Sequence, residues 1–298
     1  MHQEVRHMNN YVIISPVRNE EDYIKLTLDS VVSQSRLPSE WIIVNDGSTD
    51  RTVEIVEGYA RRFTWIKLLT LVDRGFYFPG TGVVNVFNAG YSTISVPDWS
   101  FVVKLDADLS FETDYFEKLL LKFEANPRLG IASGITYLPK DDAWVREDVM
   151  PDHPVGPSKV YKRQCWESIG GLKPVPGWDL ADLLAAQMKG WDTVCFDDLV
   201  IRHYRLTGSR RAGAWARNFL QGRFEYRHGY AFHYTFLKAL YHLMSKPPIV
   251  GSVAKVCGYL FAWITRDSFL FEADMREFLR GKQAAYLKRK LGLTAGRS

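Results

Sequence analysis

The sequence predicts an α/β fold: a mostly parallel sheet covered by helices, followed by a helical C-terminal extension. Three observations predict it. Over the first two hundred residues, short apolar runs alternate with stretches of helical spacing. Those runs lack the polar alternation of a half-exposed strand, so both faces of the sheet must be covered. Beyond Gly208 the pattern turns helical, aromatic and basic.

Residues 11–15 (YVIIS) read as a buried strand. A helix follows over 21–34, with Ile24, Leu28, Val31 and Val32 at helical spacing. Residues 41–44 form a second strand, and 52–62 a helix that the run Ser48-Thr49-Asp50 opens. A strand at 65–71, a helix at 83–94, a strand at 100–105 and a helix at 111–124 continue the alternation. Residues 130–138 are strand-like. Residues 139–157 hold four prolines and five acids and read as a long surface loop, the kind that tends to carry function. Short strands at 159–161, 193–196 and 200–204, a helical turn at 166–169 and a helix at 180–189 complete this part.

The chain has 298 residues, 46% hydrophobic, 24% charged and 14% aromatic, which excludes a disordered or low-complexity protein. Its length suits one large α/β domain over 1–208 with an appendage over 209–298. Three widely spaced cysteines, Cys165, Cys195 and Cys257, offer neither a disulfide framework nor a zinc site and suggest a reducing compartment. The opening MHQEVRHMNN lacks an apolar signal region, so a cytoplasmic location is expected. The net charge of +4 is unevenly spread. Residues 1–200 carry 20 basic and 29 acidic residues, and residues 201–298 carry 18 and 5. The basic end calls for an anionic partner.

Three motifs carry chemistry. Asn45-Asp46-Gly47-Ser48-Thr49-Asp50 lies at a strand end and opens a helix, where ligands bind in open α/β sheets. It reads as a nucleoside-contacting turn or as a plain helix cap. Asp106-Ala107-Asp108 ends another buried strand. Its two carboxylates can converge on Mg²⁺ or Mn²⁺, leaving positions open for diphosphate oxygens, or form a solvated acidic turn. Asp179 and Asp182 stand three apart at a helix start, where one can act as general base or both can complement the helix dipole.

Together these motifs resemble the family 2 glycosyltransferases, which have the GT-A fold. Ser15-Pro16-Val17-Arg18-Asn19-Glu20-Glu21 resembles the family's opening strand and turn. The segment 44–50 resembles its DDGSTD segment, with Asn45 for the first Asp, and Asp106-Ala107-Asp108 its DxD. Residues 177–191 resemble its ED helix, ending in Gly190-Trp191, with Trp178 in place of the Glu. The resemblance spans 11–205. It implies an inverting, metal-dependent transfer of a sugar from a nucleotide-sugar donor to a hydroxyl of a glycan or lipid-linked acceptor, as in polysaccharide biosynthesis. Pro16, Arg18, Glu20, Asp46 and Asp106 would bind the donor. Asp106 and Asp108 would hold Mg²⁺ or Mn²⁺, with His203 as a further ligand. Asp179 would be the base, with Asp182 one turn further along the helix.

Two other readings stay open: a non-catalytic nucleotide-sugar-binding or membrane-scaffold protein of the same fold, favoured by Trp178, and a nucleotidyltransferase, disfavoured by the absence of Gly from Ser15–Glu21. Arg210 and Arg211 can clamp diphosphate or be solvated. Gln221-Gly222-Arg223-Phe224 lacks the spacing of the processive members' QxxRW. Residues 230–244 and 249–265 are apolar and aromatic, and 282–290 basic. The 249–265 run reads as a core helix, a short span or an interfacial helix, and the basic tail as a lipid-binding or a solubilising end. The expectation is association with an anionic membrane surface, on its cytoplasmic face, without spanning it. No nucleic-acid-binding module is present.

Overall fold

A computed structural model of the chain describes residues 10–72, 81–141, 143–205, 213–241, 243 and 249–290. The chain divides into two compact units, Met1–Thr207 and Gly208–Ser298.

The first unit runs β1 (Tyr11–Val17), α1 (Ile24–Val32), β2 (Glu40–Asn45), α2 (Thr52–Ala60), β3 (Ile66–Thr70), α3 (Thr81–Tyr91), β4 (Phe101–Leu105), β5 (Leu109–Phe111), α4 (Tyr115–Ala125), β6 (Leu129–Lys140), β7 (Ala143–Arg146), β8 (Ser158–Lys162), α5 (Arg163–Ile169), α6 (Trp178–Met188) and β9 (Asp192–His203). The strands form one sheet in the order β3-β2-β1-β4-β8-β6-β9-β5, with β7 added to β6. Among the described residues, β1, β2, β3, β4, β6 and β9 point one way, and β5, β7 and β8 run against them. The α/β, mostly parallel sheet expected from the sequence is therefore present.

The lack of polar alternation has a direct structural cause. Tyr11, Ile13 and Val17 of β1 enter one apolar cluster, with Trp41, Ile43 and Val103. Val12 and Ile14 enter the other, with Ile42, Val44 and Val102. Each side chain is removed from water whichever way it points, and burial of that kind stabilises by about 1.5–3 kcal/mol per large aliphatic residue.

The sheet order reverses at β1: β2 and β3 lie to one side and β4 to the other. The β1–β4 register ends at Ile14↔Lys104, whereas the β1–β2 register continues to Val17↔Asn45. A crevice therefore opens between the carboxyl ends of β1 and β4, the usual ligand position in such sheets. Pro16, which has no N–H to donate, falls beyond the last β4 partner, where no ladder bond is lost.

Two expectations need correction. The stretch 139–157 is not all loop. β6 extends to Lys140 and pairs with β7 as a hairpin, Pro139 opposite Trp144. The strands expected at 193–196 and 200–204 are one strand, β9. Gly134 pairs with Phe196 and the next residue, Ile135, with Val200, so Asp197, Asp198 and Leu199 bulge out of the ladder. The two aspartates broke the apolar pattern without ending the strand.

The second unit holds α7 (Ala214–Arg227), α8 (Phe232–Tyr241), α9 (Val250–Ile264) and α10 (Ala273–Lys290). α7 and α9 touch backbone to backbone. A Cβ on Gly222 would stand 1.9 Å from the Lys255 carbonyl oxygen, and one on Gly258 would stand 1.9 Å from that of Phe219. Gln221-Gly222-Arg223-Phe224 thus serves packing: Arg223 Nη2 donates to Asp267 at 2.7 Å. Glu225 is buried and accepts from Thr235 Oγ1 at 2.7 Å and Lys238 Nζ at 3.3 Å.

Candidate active site

The β1–α1 and β2–α2 turns are laced together. Asn19 takes a left-handed φ of 56°, accepts from the Thr49 amide at 2.8 Å and donates its own amide to Ser48 Oγ at 3.0 Å. The Glu20 amide donates to Thr52 Oγ1 at 2.8 Å, and the Glu21 amide to Asp50 at 3.1 Å. Asn45 accepts from the Ser48 amide at 2.9 Å through Oδ1 and so closes the turn. The Asp46 amide donates to the Val17 carbonyl at 2.9 Å, and Arg18 donates to the Asp46 carbonyl. Pro16, Arg18 and Asp46 thereby surround the carboxyl ends of β1 and β2, with the Asp46 side chain buried.

Asp106 and Asp108 follow β4. The Asp106 amide donates to the Pro157 carbonyl at 2.8 Å. Buried Lys104 donates from Nζ to the Asp106 carboxylate and, at 3.1 Å, to the Gly156 carbonyl. Burial raises the Asp106 pKa, Lys104 opposes the rise and the Asp108 charge adds to it. β5 brings the other end of the unit to this turn: Leu109 pairs with His203, and the Tyr204 amide donates to the Asp108 carbonyl at 2.9 Å. His203 Nε2 consequently lies 3.3 Å from Asp108 Oδ2. Burial alone would lower the His203 pKa, but Asp108 and Asp106 more than offset it and hold the imidazole above its ordinary value.

Arg205, which the sequence reading passed over, closes the ring. It forks onto Glu20, Nη1 to Oε1 at 3.0 Å and Nη2 to Oε2 at 2.5 Å, and its Nε lies 3.8 Å from Asp108 Oδ2. Burial pushes the Glu20 carboxyl up to about 7, Arg205 pulls against that, and Asp108 and Asp106 push with it. The only hint of Arg205 in the sequence is its place just after the 200–204 strand. Arg210 and Arg211 lie outside the described residues.

The two aspartates of α6 differ sharply. Asp182 is buried and accepts from Lys159 Nζ at 2.9 and 3.0 Å, from Tyr161 OH at 2.5 Å and from the Leu183 amide at 2.6 Å. Asp179 is exposed, and among the described residues its carboxylate accepts no hydrogen bond. A methyl placed on Gly156 would stand 3.9 Å from Asp179 Oδ2, so this carboxylate borders the 156–157 segment that also holds Lys104 and the Asp106 amide. Trp178, where the family has Glu, lies with its ring 5.4 Å from both Lys104 Nζ and Lys159 Nζ. These buried lysines interrupt otherwise apolar strands at SFVVKL and SKVY, which was the available signal for them.

Among the described residues no three His, Cys, Asp or Glu side chains are grouped as a metal shell. The donors still suit a hard divalent cation. Asp106 and Asp108 interact electrostatically, and the Asp106 side chain is one-third exposed (32%). An ion bound by one or two carboxylates fills the rest of its shell with water and diphosphate oxygens.

The family model described as Glycosyl transferase family 2 matches residues 12–171. The poly-beta-1,6-N-acetyl-D-glucosamine synthase of Staphylococcus epidermidis is 32% identical over 116 residues, 39% of this chain and 26% of that protein. The uncharacterized glycosyltransferase YibD of Escherichia coli is 31% identical over 112 residues, 38% of this chain and 30% of that protein. The chain thus spans about a quarter to a third of the length of these curated relatives. Among solved structures, Staphylococcus aureus TarS 1–349 in complex with UDP-GlcNAc superposes with a TM-score of 0.54 at 16% identity, covering 87% of this chain and 73% of that one. The mannosyltransferase PcManGT from Pyrobaculum calidifontis, in complex with GDP-Man and Mn²⁺, gives 0.52 at 18%, covering 97% and 81%. These likenesses show a shared fold, and the match over more than half its length shows that the chain belongs to glycosyl transferase family 2.

Proposed function

We propose that this chain transfers a sugar from a nucleotide-sugar donor to the hydroxyl of a glycan or lipid-linked acceptor, with inversion at the anomeric carbon. The observation that carries the reading is the division of labour on α6: Asp182 is consumed by Lys159 and Tyr161, while the Asp179 carboxylate accepts no hydrogen bond among the described residues and lies beside the 156–157 segment that also meets the Asp106 turn. An uncommitted carboxylate within reach of the donor's diphosphate site is what a direct displacement requires, because that reaction needs a base and no protein nucleophile.

In this scheme Asp46, Arg18 and Pro16 bound the nucleoside. Asp106 and Asp108, with His203 beside Asp108, are the residues that would hold Mg²⁺ or Mn²⁺. When bound, such an ion neutralises charge on the departing nucleoside diphosphate. Lys104 and Arg205 keep the carboxylates in place, Lys104 through Asp106 and Gly156 and Arg205 through Glu20 and Asp108. Asp179 accepts the proton of the acceptor hydroxyl. The acceptor oxygen bonds to the anomeric carbon as the bond from that carbon to the diphosphate oxygen breaks, and the diphosphate carries away the electron pair.

UDP-GlcNAc is the first donor to test, since one relative is named for poly-N-acetylglucosamine synthesis and one structural neighbour binds UDP-GlcNAc. Thermal shift with a panel of nucleotide sugars and Mn²⁺, followed by release of nucleoside diphosphate, tests the reading. A metal-dependent rise in Tm with one donor, and turnover lost in Asp179→Asn, support it. Donor binding with no turnover under any acceptor would favour the non-catalytic binding protein that Trp178 suggests.

A further inference from the structure

We propose that the outer faces of α8 and α9 seat the Gly208–Ser298 unit on an anionic lipid surface, lying in its headgroup boundary without crossing it. α9 packs inward through Ser252, Ala254, Gly258, Tyr259 and Ala262. Its outward face carries Val250, Val253, Leu260, Phe261, Trp263 and Ile264, with Trp263 61% and Ile264 70% exposed. Cys257 is also exposed on this helix, and none of the exposed residues of α9 is charged. α8 behaves likewise: Phe232, Phe236 and Leu240, spaced four apart, are all exposed, as is Leu237. The two helices are joined at Phe232 and Tyr259, whose rings are 5.4 Å apart. A soluble surface helix would put its charges where these side chains are.

Charge selects the occupant. The Gly208–Ser298 unit holds 16 basic and 5 acidic residues. The basic end of α10 is held at α8 by an edge contact between Tyr234 and Tyr286, ring centroids 6.2 Å apart, next to exposed Lys288, Arg289 and Lys290. Exposed Arg266 stands two residues beyond the last residue of α9. Two copies of so basic a unit, meeting through these faces, would repel one another. Anionic headgroups attract it, and the acyl boundary accepts the apolar side chains. α9 has 15 residues, about 22 Å of helix at 1.5 Å per residue, against roughly 30 Å of hydrocarbon core. No helix among the described residues is long and apolar enough to cross a membrane.

The test uses the full chain with an environment-sensitive fluorophore on Cys257, the other two cysteines being buried. Vesicles are phosphatidylcholine alone, or equal parts phosphatidylcholine and phosphatidylglycerol. The expected result is co-flotation and a blue-shifted label with the anionic vesicles only, weakened by salt. Trp263→Glu and Ile264→Glu are expected to lower vesicle partitioning by at least about tenfold, the scale of one buried apolar side chain, with Tm unchanged because both positions are largely exposed. Three results would overturn the proposal: no flotation of the wild-type chain, flotation indifferent to the two substitutions, or a sedimentation dimer that Ile264→Glu dissociates. The last would identify the face as a contact between copies.

Discussion

The two units solve opposite problems. In Met1–Thr207 the apolar side chains are inside a doubly covered sheet, and the charges that enter the interior come in satisfied groups: Lys159 with Asp182, Lys104 with Asp106, Arg205 with Glu20. In Gly208–Ser298 a glycine-mediated helix contact and a buried Glu225 lie inside, while aromatic and branched side chains of α8 and α9 face out. Burial is spent on fixing polar geometry in the first unit and withheld from an apolar face in the second. A buried charge held by partners is what a reaction centre needs. An apolar face left bare is what an association surface needs.

The comparison can be broken first at Asp179. Asp179→Asn is expected to reduce turnover by about 10²–10⁴-fold with donor affinity retained, measured by nucleoside diphosphate release and by thermal shift. An equal loss in donor binding would make Asp179 a donor ligand instead. Next in size is Lys159→Met, which strands the Asp182 carboxylate in a dry site. It is expected to cost about 3–5 kcal/mol by urea unfolding, whereas Lys159→Met combined with Asp182→Leu should recover much of that loss. Asp108→Asn is expected to weaken Mn²⁺-dependent nucleotide binding by roughly tenfold or more, the scale of a ligand or its support in a metal site, while leaving Tm in the absence of metal within a few degrees. Calorimetric titration of Mn²⁺ and nucleotide reads this directly.

Glu20 supplies a pH test. Its folded pKa is raised to about 7 from an unfolded 4.5. Between these values the folded state binds the extra proton, so its contribution to stability is present below about pH 4.5 and is lost as pH rises through about 7. Glu20→Gln should flatten the fall in unfolding free energy over that window, and a wild-type profile already flat there would remove the assignment. A last pair of substitutions, one of them the smallest effect of all, sharpens the contrast between the units. Ile14→Ala in the doubly covered sheet should cost about 2–5 kcal/mol, and Ile264→Ala on the open face of α9 no more than about 0.5 kcal/mol. Similar costs at both would mean that α9 is covered in solution.

Much of the first unit was legible because local physics dictated it. A strand buried on both faces is dominated by apolar residues without polar alternation, and β1, β2 and β4 are, Lys104 apart. Polar residues that end such a strand must lie at the sheet's carboxyl edge, which placed Asp46, Asp106 and Asp108 correctly in the chain. The hairpin of β6 and β7 was not legible, since all four residues of β7 are exposed and no burial pattern marks it. The continuity of β9 was hidden for a related reason. A bulge lets Asp197 and Asp198 leave the ladder, and a pattern read residue by residue cannot distinguish a bulge from a break.

The sequence by itself determined the fold class, the order of the motifs along the chain and the charge imbalance between its ends, because each depends on spacing and composition alone. Tertiary structure decided that Asp182 of α6 is committed to Lys159 and Tyr161 while Asp179 has no such partner among the described residues. It also brought Arg205 back to Glu20 across 185 residues of chain and set His203 against Asp108 through the β5–β9 pairing. The physical reason is common to all three. A carboxylate's availability depends on which cations and hydroxyls the fold brings within 3 Å or so of it, and those partners come from distant parts of the chain.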